Sequence, residues 1–311
     1  MSDKQRVIGI VGSTASGKTA LSMALASAFP IEILCMDSMQ VYRGMDIGTA
    51  KPTPQERASV PHHLLDIRQP EEAFSVAEYV VLAREAISGV TARGHLPVLV
   101  GGTGLYLRAL SLPLGLGGVP GDDAIRARYQ ALLEKEGAQA LHDALTQVDA
   151  VTAGRLHPND TRRVIRALEV CTVTGRPFSQ QEMPSYDDSP YDLLLYASDW
   201  TRESLYSRID QRVDEMMRQG LLEEVQNLQK RGLPQNAQSM QGLGYKELFS
   251  GILGEMDLAQ AVELIKRHTR NYSKRQLTWF RADPRVKWLR TLMDGECFID
   301  MVRQDMRKHE D

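Results

Sequence analysis

The sequence is poor in cysteine, and its charge has no large excess of either sign. Its three cysteines, Cys35, Cys171 and Cys297, are scattered over 311 residues, too few and too far apart for a disulfide framework or a zinc site. We interpret them as reduced packing or surface thiols, as expected in the cytoplasm. The formal net charge of −3 excludes a globally basic coat protein for nucleic acid, but it leaves room for local basic patches.

Long apolar runs are also missing. The first twelve residues contain no apolar segment of the signal-peptide type, and no later run approaches the roughly 18 apolar residues of a membrane span. Internal repeats and low-complexity segments are absent from the sequence as well. We therefore expect a cytoplasmic globular protein without a membrane segment, large enough for one large domain or two smaller ones.

Short apolar runs alternate with helical patterns in the first hundred residues. Such runs predict buried parallel strands, and they lie at 7–11, 31–36 and 97–100. One helix follows the first run and ends at Pro30, and another, capped by Ser75, precedes the third run. Strands and helices in alternation predict a parallel sheet covered on both faces, which is the α/β fold class.

This pattern breaks in the middle of the chain. Residues 112–190 have the pattern of helices and loops without a strand, and strand character returns at 191–196 and weakly at 286–289. We therefore predict two domains. One is an α/β core with C-terminal helices, formed by residues 1–111 and 191–311, and the other is a helical insertion domain at 112–190.

A glycine-rich motif follows the first predicted strand. Its sequence, Gly-Ser-Thr-Ala-Ser-Gly-Lys-Thr at 12–19, satisfies the P-loop pattern, with a strand before it and a helix after it. The glycines let successive backbone N–H groups converge on a phosphate, to which the helix N-terminus adds partial positive charge. Lys18 can reach the outer phosphate, and the Thr19 hydroxyl suits a Mg²⁺ ion on the same oxygens. The motif predicts a P-loop NTPase-like sheet core. The residues predicted to bind a diphosphate or triphosphate are Gly12, Ser13, Thr14, Ala15, Ser16, Gly17, Lys18 and Thr19.

The carboxylate that helps to hold Mg²⁺ in many P-loop enzymes is missing from its usual place, the end of an apolar strand. The third run ends in Val100-Gly101-Gly102, and the one acidic residue that we find at a core strand exit is Asp37. Asp37 could serve the metal, or it could act as a base toward a nucleophile. A motor protein or a GTPase therefore fits poorly. A kinase of a small metabolite and an RNA-binding module with a nucleotide switch stay open as alternatives, although the missing carboxylate counts against both.

Five further stretches carry a family resemblance. They are Asp-Ser-Met-Gln-Val-Tyr at 37–42, Met-Asp-Ile-Gly-Thr-Ala-Lys-Pro at 45–52, Pro-His-His-Leu-Leu-Asp at 61–66, Gly-Gly-Thr-Gly-Leu-Tyr at 101–106 and His-Pro-Asn-Asp at 157–160. In this order they closely resemble the tRNA isopentenyltransferase family, the tRNA dimethylallyltransferases. The resemblance extends from the P-loop to at least Gly244-Tyr245-Lys246. Because the zinc-finger extension of eukaryotic members is missing, the chain resembles the bacterial type.

The resemblance implies a transferase that moves a dimethylallyl group from dimethylallyl diphosphate to N6 of an adenosine next to the anticodon of tRNA. The P-loop would then hold the diphosphate leaving group, with Mg²⁺ as the cofactor, and stabilise the charge that grows as the C–O bond breaks. The resemblance further implies that Asp37 is the base toward the amine, that Thr103 is a second contact and that Arg212 assists on the diphosphate. The implied catalytic residues are Asp37, Thr103, Lys18 and Arg212.

Two basic clusters suit a polyanionic partner. The first, in the insertion, is Arg155, Arg162, Arg163, Arg166 and Arg176, and the second, in the C-terminal helix, is Lys266, Arg267, Arg270, Lys274, Arg275 and Arg281. The family's insertion clasps the anticodon stem, and the adenosine leaves its stack to react. By motif match, the implied tRNA-binding residues are Asp37, Ser38, Met39, Gln40, Thr103, Arg126, Thr161, Arg162, Arg163, Val164 and Ile165.

Smaller features complete the expectations. Asp160 is expected to cap a helix that begins near Thr161. His62 and His63 lack partners at metal spacing, which favours a structural or substrate-contact role, and Trp200 is interpreted as a core residue. We expect a monomer. An enzyme that prenylates free adenylate is a further alternative, against which the long basic insertion counts.

Overall fold

The structure is a computed structural model that describes residues 4–112, 119, 121–181, 185–290 and 294–308. Its Cα atoms form two compact units. The core unit is Met1–Ser111 with Pro190–Asp311, and the insertion unit is Leu112–Ser189.

A parallel sheet forms the centre of the core unit. Its six strands are β1 (Gln5–Val11), β2 (Ile31–Cys35), β3 (His62–His63), β4 (Leu96–Gly101), β5 (Tyr191–Asp199) and β6 (Val286–Arg290). They pair in parallel in the order β3-β2-β4-β1-β5-β6. The predicted α/β class is therefore confirmed. The two-residue β3 was not predicted, because two residues are too short for an alternating pattern to be recognised.

Helices surround this sheet and make up the insertion unit. In chain order they are α1 (Lys18–Ala28), α2 (Pro54–Ser59), α3 (Val76–Ala92), α4 (Gly104–Ser111), α5 (Asp123–Val148), α6 (Ala150–Ala153), α7 (Thr161–Thr174), α8 (Arg202–Arg218), α9 (Leu221–Lys230), α10 (Tyr245–Ile252), α11 (Leu258–Arg281) and α12 (Gly295–Lys308). The insertion unit contains α5, α6 and α7. Within the described ranges, every helix is too short or too polar to span a lipid bilayer.

The strand β1 shows why both faces of the sheet are covered. Val7 and Val11 pack into one hydrophobic cluster with residues of α3, α4, α10 and α11. Ile8 and Ile10, which point to the opposite face, pack into a second cluster with α1 and α12. A strand that is apolar on both faces is stable only between two layers of helices. The predicted cap of α3 is also confirmed, because the Ser75 hydroxyl accepts the Glu78 N–H and the Glu78 carboxylate accepts the Ser75 N–H.

The insertion unit has its own small core between α5 and α7, and α5 is kinked at Gly137. Asp160 occupies the N-cap position of α7 as predicted, but its side chain makes no capping hydrogen bond in the described structure. Its carboxylate instead lies 3.5 Å from the Arg163 guanidinium. The predicted helix boundary is thus correct, whereas the predicted capping bond is wrong because the side chain turns to a charged neighbour.

Candidate active site

A cleft of about 820 Å³ opens at the carboxyl ends of the central strands of the core unit. Three segments meet there because neighbouring parallel strands end at the same edge of the sheet. They are the P-loop after β1, the segment after β2 that carries Asp37, and the glycine-rich turn after β4. The helices α8 and α11 supply further polar lining, including Arg208, Arg212, Tyr272 and Gln276.

The P-loop has the backbone that its glycines predict. Positive φ angles occur at Gly12 (132°), Ala15 (60°) and Gly17 (91°), and such angles are rare for a residue that carries a Cβ atom, as Ala15 does. The hydroxyls of Ser13 and Ser16 are buried and have no hydrogen-bond partner among the described residues. Since buried hydroxyls without a partner are costly, these two groups indicate a polar ligand in the loop.

The outer side of the P-loop is held by two residues, one from α8 and one from the segment between β5 and α8. Arg208 Nε donates to the Ala15 carbonyl at 2.8 Å, and Trp200 Nε1 donates to the Ser16 carbonyl at 3.0 Å. The Arg208 guanidinium also lies 4.3 Å from the centroid of the Trp200 ring. The sequence interpretation of Trp200 as a core residue missed this bond. Finding it would have required the position of β5 next to β1, which no local pattern encodes.

Two cations and one carboxylate influence one another in the cleft. Lys18 Nζ donates to the carbonyls of Ser13 (2.6 Å) and Gly12 (3.3 Å). Burial, and then the positive charge of Arg212, lower the pKa of Lys18 to about 8, against the opposing effect of Asp37. Burial also lowers the pKa of Arg212, and Asp37 again opposes it. Because crowded, desolvated cations are relieved by an anion, this arrangement favours a diphosphate group.

The segment after β2 places Asp37 beside Thr103. The Asp37 carboxylate accepts the Met39 N–H at 2.9 Å, which forms a tight turn, and the Thr103 hydroxyl accepts the Ser38 N–H at 3.2 Å. The sequence prediction that Asp37 and Thr103 act at one centre fits this geometry. Gln40, a predicted tRNA contact, uses its amide to donate to two carbonyls within the same loop, at 2.9 and 3.1 Å.

The glycines of the turn after β4 are required by close approach. A Cβ atom on Gly101 would lie 2.0 Å from the Met36 carbonyl oxygen, and one on Gly102 would lie 2.1 Å from the Gln276 side-chain nitrogen. Both distances are far inside van der Waals contact. Glycines are thus required in this turn because β2 lies close to it on one side and α11 lies close to it on the other.

One expectation about acidic residues is wrong. The sequence pattern ended the fourth predicted strand at Tyr196, whereas β5 continues to Asp199. Asp37 is therefore not the only acidic residue at a core strand exit. Asp199 is 56% exposed and lies 3.7 Å from the Arg281 guanidinium. Asp37, unlike Asp199, lines the cleft together with the P-loop.

Protein side chains alone do not form a metal site in the described part of the chain, where no group of three His, Cys, Asp or Glu residues could hold an ion. Thr19, the predicted metal ligand, is an exposed residue that lines the cleft. Mg²⁺ often takes only one or two protein ligands and completes its shell with phosphate oxygens and water. The donor set in the cleft therefore fits Mg²⁺ carried by a diphosphate.

The two histidines of the third motif differ in their surroundings. His63 Nε2 lies 2.6 Å from the Glu32 carboxylate, which also contacts His95 at 2.9 Å and Arg93 at 2.7 Å. Of the two roles expected for His63, structural or substrate-contact, these contacts fit the structural one. His62, which bonds to the Val60 carbonyl at 2.8 Å, lines the cleft.

The predicted tRNA-binding residues of the insertion unit differ in how far their side chains are exposed to solvent. Arg162 and Arg163 are exposed in the first turn of α7, whereas Val164 is fully buried. The Val164 side chain is therefore closed to a ligand, and its effect on tRNA would be indirect, through the position of its neighbours. Arg126 is half exposed and pairs at 2.9 Å with the buried Glu169.

The parallel sheet and the glycine-rich loop after its first strand define a P-loop α/β protein. A profile of the IPP transferase family matches residues 40–283. The tRNA dimethylallyltransferase 1 of Trichlorobacter lovleyi is 50% identical over 288 residues, which cover 92% of this chain and 94% of that protein. The chain therefore belongs to the IPP transferase family, as its motifs predicted.

Two solved structures have the same fold. The tRNA isopentenylpyrophosphate transferase of Bacillus halodurans is 43% identical, with a TM-score of 0.73 over 98% of this chain and 96% of its own. A eukaryotic dimethylallyltransferase solved while acting on tRNA is 29% identical, with a TM-score of 0.76 over 97% of this chain and 76% of its own. The likeness thus covers nearly the whole of this chain.

Proposed function

We propose that this protein transfers a dimethylallyl group from dimethylallyl diphosphate to the exocyclic N6 amine of an adenosine next to the anticodon of tRNA. The observation that carries the proposal is the meeting of Lys18, Arg212 and Asp37 in one cleft, where the two cations and the carboxylate act on one another. Cations suit the leaving diphosphate, and a carboxylate suits the incoming amine. The named relatives of the family act on tRNA.

The P-loop stabilises the leaving group. As the allylic C–O bond breaks, its electron pair stays on the diphosphate, so negative charge grows on the bridging oxygen. Lys18 and Arg212, which both line the cleft, would stabilise that charge, and preorganised groups of this kind lower a barrier most effectively. Thr19 would help to hold Mg²⁺, which would supply further positive charge for the leaving diphosphate.

Asp37 acts on the nucleophile. The N6 amine attacks the allylic carbon and forms the new C–N bond, and Asp37 takes the proton that nitrogen must lose. The N6 lone pair is delocalised into the purine ring, so a carboxylate that accepts its N–H raises the electron density available for attack. Thr103, which is tied to the Asp37 loop through Ser38, is proposed as the second contact of the amine.

Exposed cations on each unit support tRNA as the acceptor. In the insertion unit, Arg162 and Arg163 are exposed. In the core unit, α11 exposes Lys274 and Arg275, each within 6 Å of a tyrosine ring. Phosphate contacts by such residues give affinity, and aromatic neighbours suit an unstacked base. We further propose a monomer in the cytoplasm, where tRNA and dimethylallyl diphosphate meet.

The test uses purified protein, Mg²⁺, dimethylallyl diphosphate and an unmodified tRNA transcript, with nucleosides analysed by mass spectrometry after digestion. We expect one dimethylallylated adenosine, located next to the anticodon by nuclease mapping. Parallel reactions replace tRNA by AMP, or replace the allylic diphosphate by ATP. Equal modification of AMP would favour an adenylate prenyltransferase, and phosphate transfer from ATP to a small metabolite would favour a kinase. Either result contradicts the proposal.

A further inference from the structure

Two polar side chains on α11, one helical turn apart, face the cleft of the core unit. Tyr272 and Gln276 both line it, and Gln276 is only 4% exposed. Residues four apart on a helix project from the same face. The inner face of α11 therefore presents a phenol and an amide to the loops that carry the proposed chemistry.

The Gln276 amide joins two of these loops. Its Oε1 accepts the Thr14 N–H of the P-loop at 2.9 Å, and its Nε2 donates to the Gly102 carbonyl after β4 at 3.0 Å. The bridge needs an acceptor and a donor on one side chain, so a glutamate or a lysine could not make both bonds at once. Gly102 leaves room for the bridge, because a Cβ atom there would overlap Nε2.

Tyr272 lies on the side of the bridge that faces Asp37. Thr103 and Gln276 are both close enough to its phenol to lower the phenol pKa slightly. Burial, and then the negative charge of Asp37, raise the pKa of Tyr272 to about 12, so the phenol remains protonated at neutral pH. Thr103 in turn accepts the N–H of Ser38, the residue after Asp37. Through Gln276, the adjacent residues Gly102 and Thr103, and Ser38, the P-loop is thus connected to the loop of the proposed base.

We propose that Gln276 is a positioning residue which, together with Tyr272, sets the separation between the diphosphate cradle and the Asp37–Thr103 centre. This inference rests on the proposed prenyl transfer, in which the leaving oxygen and the attacking nitrogen lie on opposite sides of one carbon. Such a displacement depends steeply on geometry, and a misplacement of about 1 Å can cost on the order of 100-fold in rate. Neither side chain is proposed to touch the reacting atoms.

The experiment compares Gln276→Met with the wild-type enzyme under saturating tRNA and dimethylallyl diphosphate. Methionine keeps the length of the side chain and removes both bonds. We expect kcat to fall about 10- to 100-fold, since orientation is lost, while the Kd for tRNA and the thermal midpoint stay near the wild-type values. Gln260→Met, at the exposed first turn of the same helix, is the matched control and should leave kcat unchanged.

A double-mutant cycle with Tyr272→Phe tests whether the two side chains act as one unit. Interacting residues that act on one site have non-additive effects, so the combined loss in kcat should be clearly smaller than the product of the single losses. If Gln276→Met lowers stability enough to prevent its study, Gln276→Glu keeps an acceptor for Thr14 but replaces the donor to Gly102 by a charged oxygen, and it should still lower kcat.

Three outcomes would overturn the inference. The first is a wild-type kcat in Gln276→Met. The second is a parallel loss of kcat, tRNA affinity and thermal midpoint, which indicates a general structural role. The third is a multiplicative effect in the cycle, which separates Tyr272 from Gln276. Failure of the proposed function would look different, because the wild-type enzyme itself would then form no dimethylallylated adenosine.

Discussion

The lowered pKa of Lys18 predicts that diphosphate binding is coupled to proton uptake. In the free enzyme, burial and Arg212 lower that pKa to about 8, so the ammonium loses its proton just above neutral pH. A bound diphosphate supplies negative charge beside the ammonium and raises its pKa again. The protonated form is therefore the one that binds, and alkaline conditions weaken binding because a proton must be taken up.

The size of the effect follows from that pKa. At pH 7 most Lys18 side chains are protonated, whereas at pH 9 only about one in ten is, so the affinity for dimethylallyl diphosphate should be about tenfold weaker at pH 9. The ligand adds little to this change, since phosphate groups complete their ionisation near pH 6. Burial raises the pKa of the Tyr272 phenol to about 12 and also raises the pKa of the Cys35 thiol, so neither of these neighbouring groups titrates in this range.

Isothermal titration calorimetry measures both quantities. Dimethylallyl diphosphate is titrated at pH 7 and pH 9 in two buffers with different ionisation enthalpies, which gives Kd and the number of protons taken up. Lys18→Met should bind weakly at both values and should show no proton uptake, while Lys230→Met, an exposed lysine at the end of α9, should behave as wild type. A wild-type affinity that is independent of pH, or a pH slope that persists in Lys18→Met, would refute the reasoning.

Three further predictions concern other parts of the molecule. Asp37→Asn should lower kcat by roughly 10²–10⁴ and leave the Kd for tRNA unchanged, since the amide keeps the shape and loses the proton acceptor; a change in KM alone would contradict it. Arg162→Ala or Arg163→Ala should weaken tRNA binding and reduce the salt slope by about one unit, and wild-type titrations for both would exclude the insertion as the tRNA clasp. Glu32→Gln should lower the free energy of unfolding by roughly 2 kcal/mol, measured in urea at pH 7. Because hydrogen bonding, first from Arg93, lowers the pKa of Glu32 to about 2, this difference should be full above pH 4.5 and shrink as pH falls toward 2.

The sheet was predictable because its signals are local. The apolar runs at 7–11 and 31–36 lie close to the strands Gln5–Val11 and Ile31–Cys35, since a strand buried on both faces must be apolar along its length. The order of the strands was not predictable in the same way. It depends on which edges pair, and the sequence carries no local mark for the position of β5 beside β1.

The residues of the candidate site also differ in whether local sequence signals could predict them. The P-loop, Asp37 and Thr103 follow strands directly, so their convergence at one edge of a parallel sheet could be expected from the motifs and the family resemblance. The residues that hold these loops in place could not. Trp200, Arg208 and Gln276 are distant from the P-loop in sequence, and each has an ordinary helical or loop context. Their roles depend on single hydrogen bonds that become visible only when the helices are placed.

These distant bonds determine how the P-loop binds an anion. Carbonyl groups repel a phosphate, and the loop can offer its N–H groups only if its carbonyls point elsewhere. Arg208 and Trp200 hold two of these carbonyls away from the anion, because they donate hydrogen bonds to the carbonyls of Ala15 and Ser16. The same bonds stabilise the left-handed backbone of Ala15. The strained turn raises the free energy of the folded chain by roughly 1–3 kcal/mol. Because the turn forms during folding, the free energy of anion binding does not have to supply this amount. In the proposed reaction a diphosphate would then meet donors that are already oriented, so α8 would assist the chemistry although it lies wholly outside the motif.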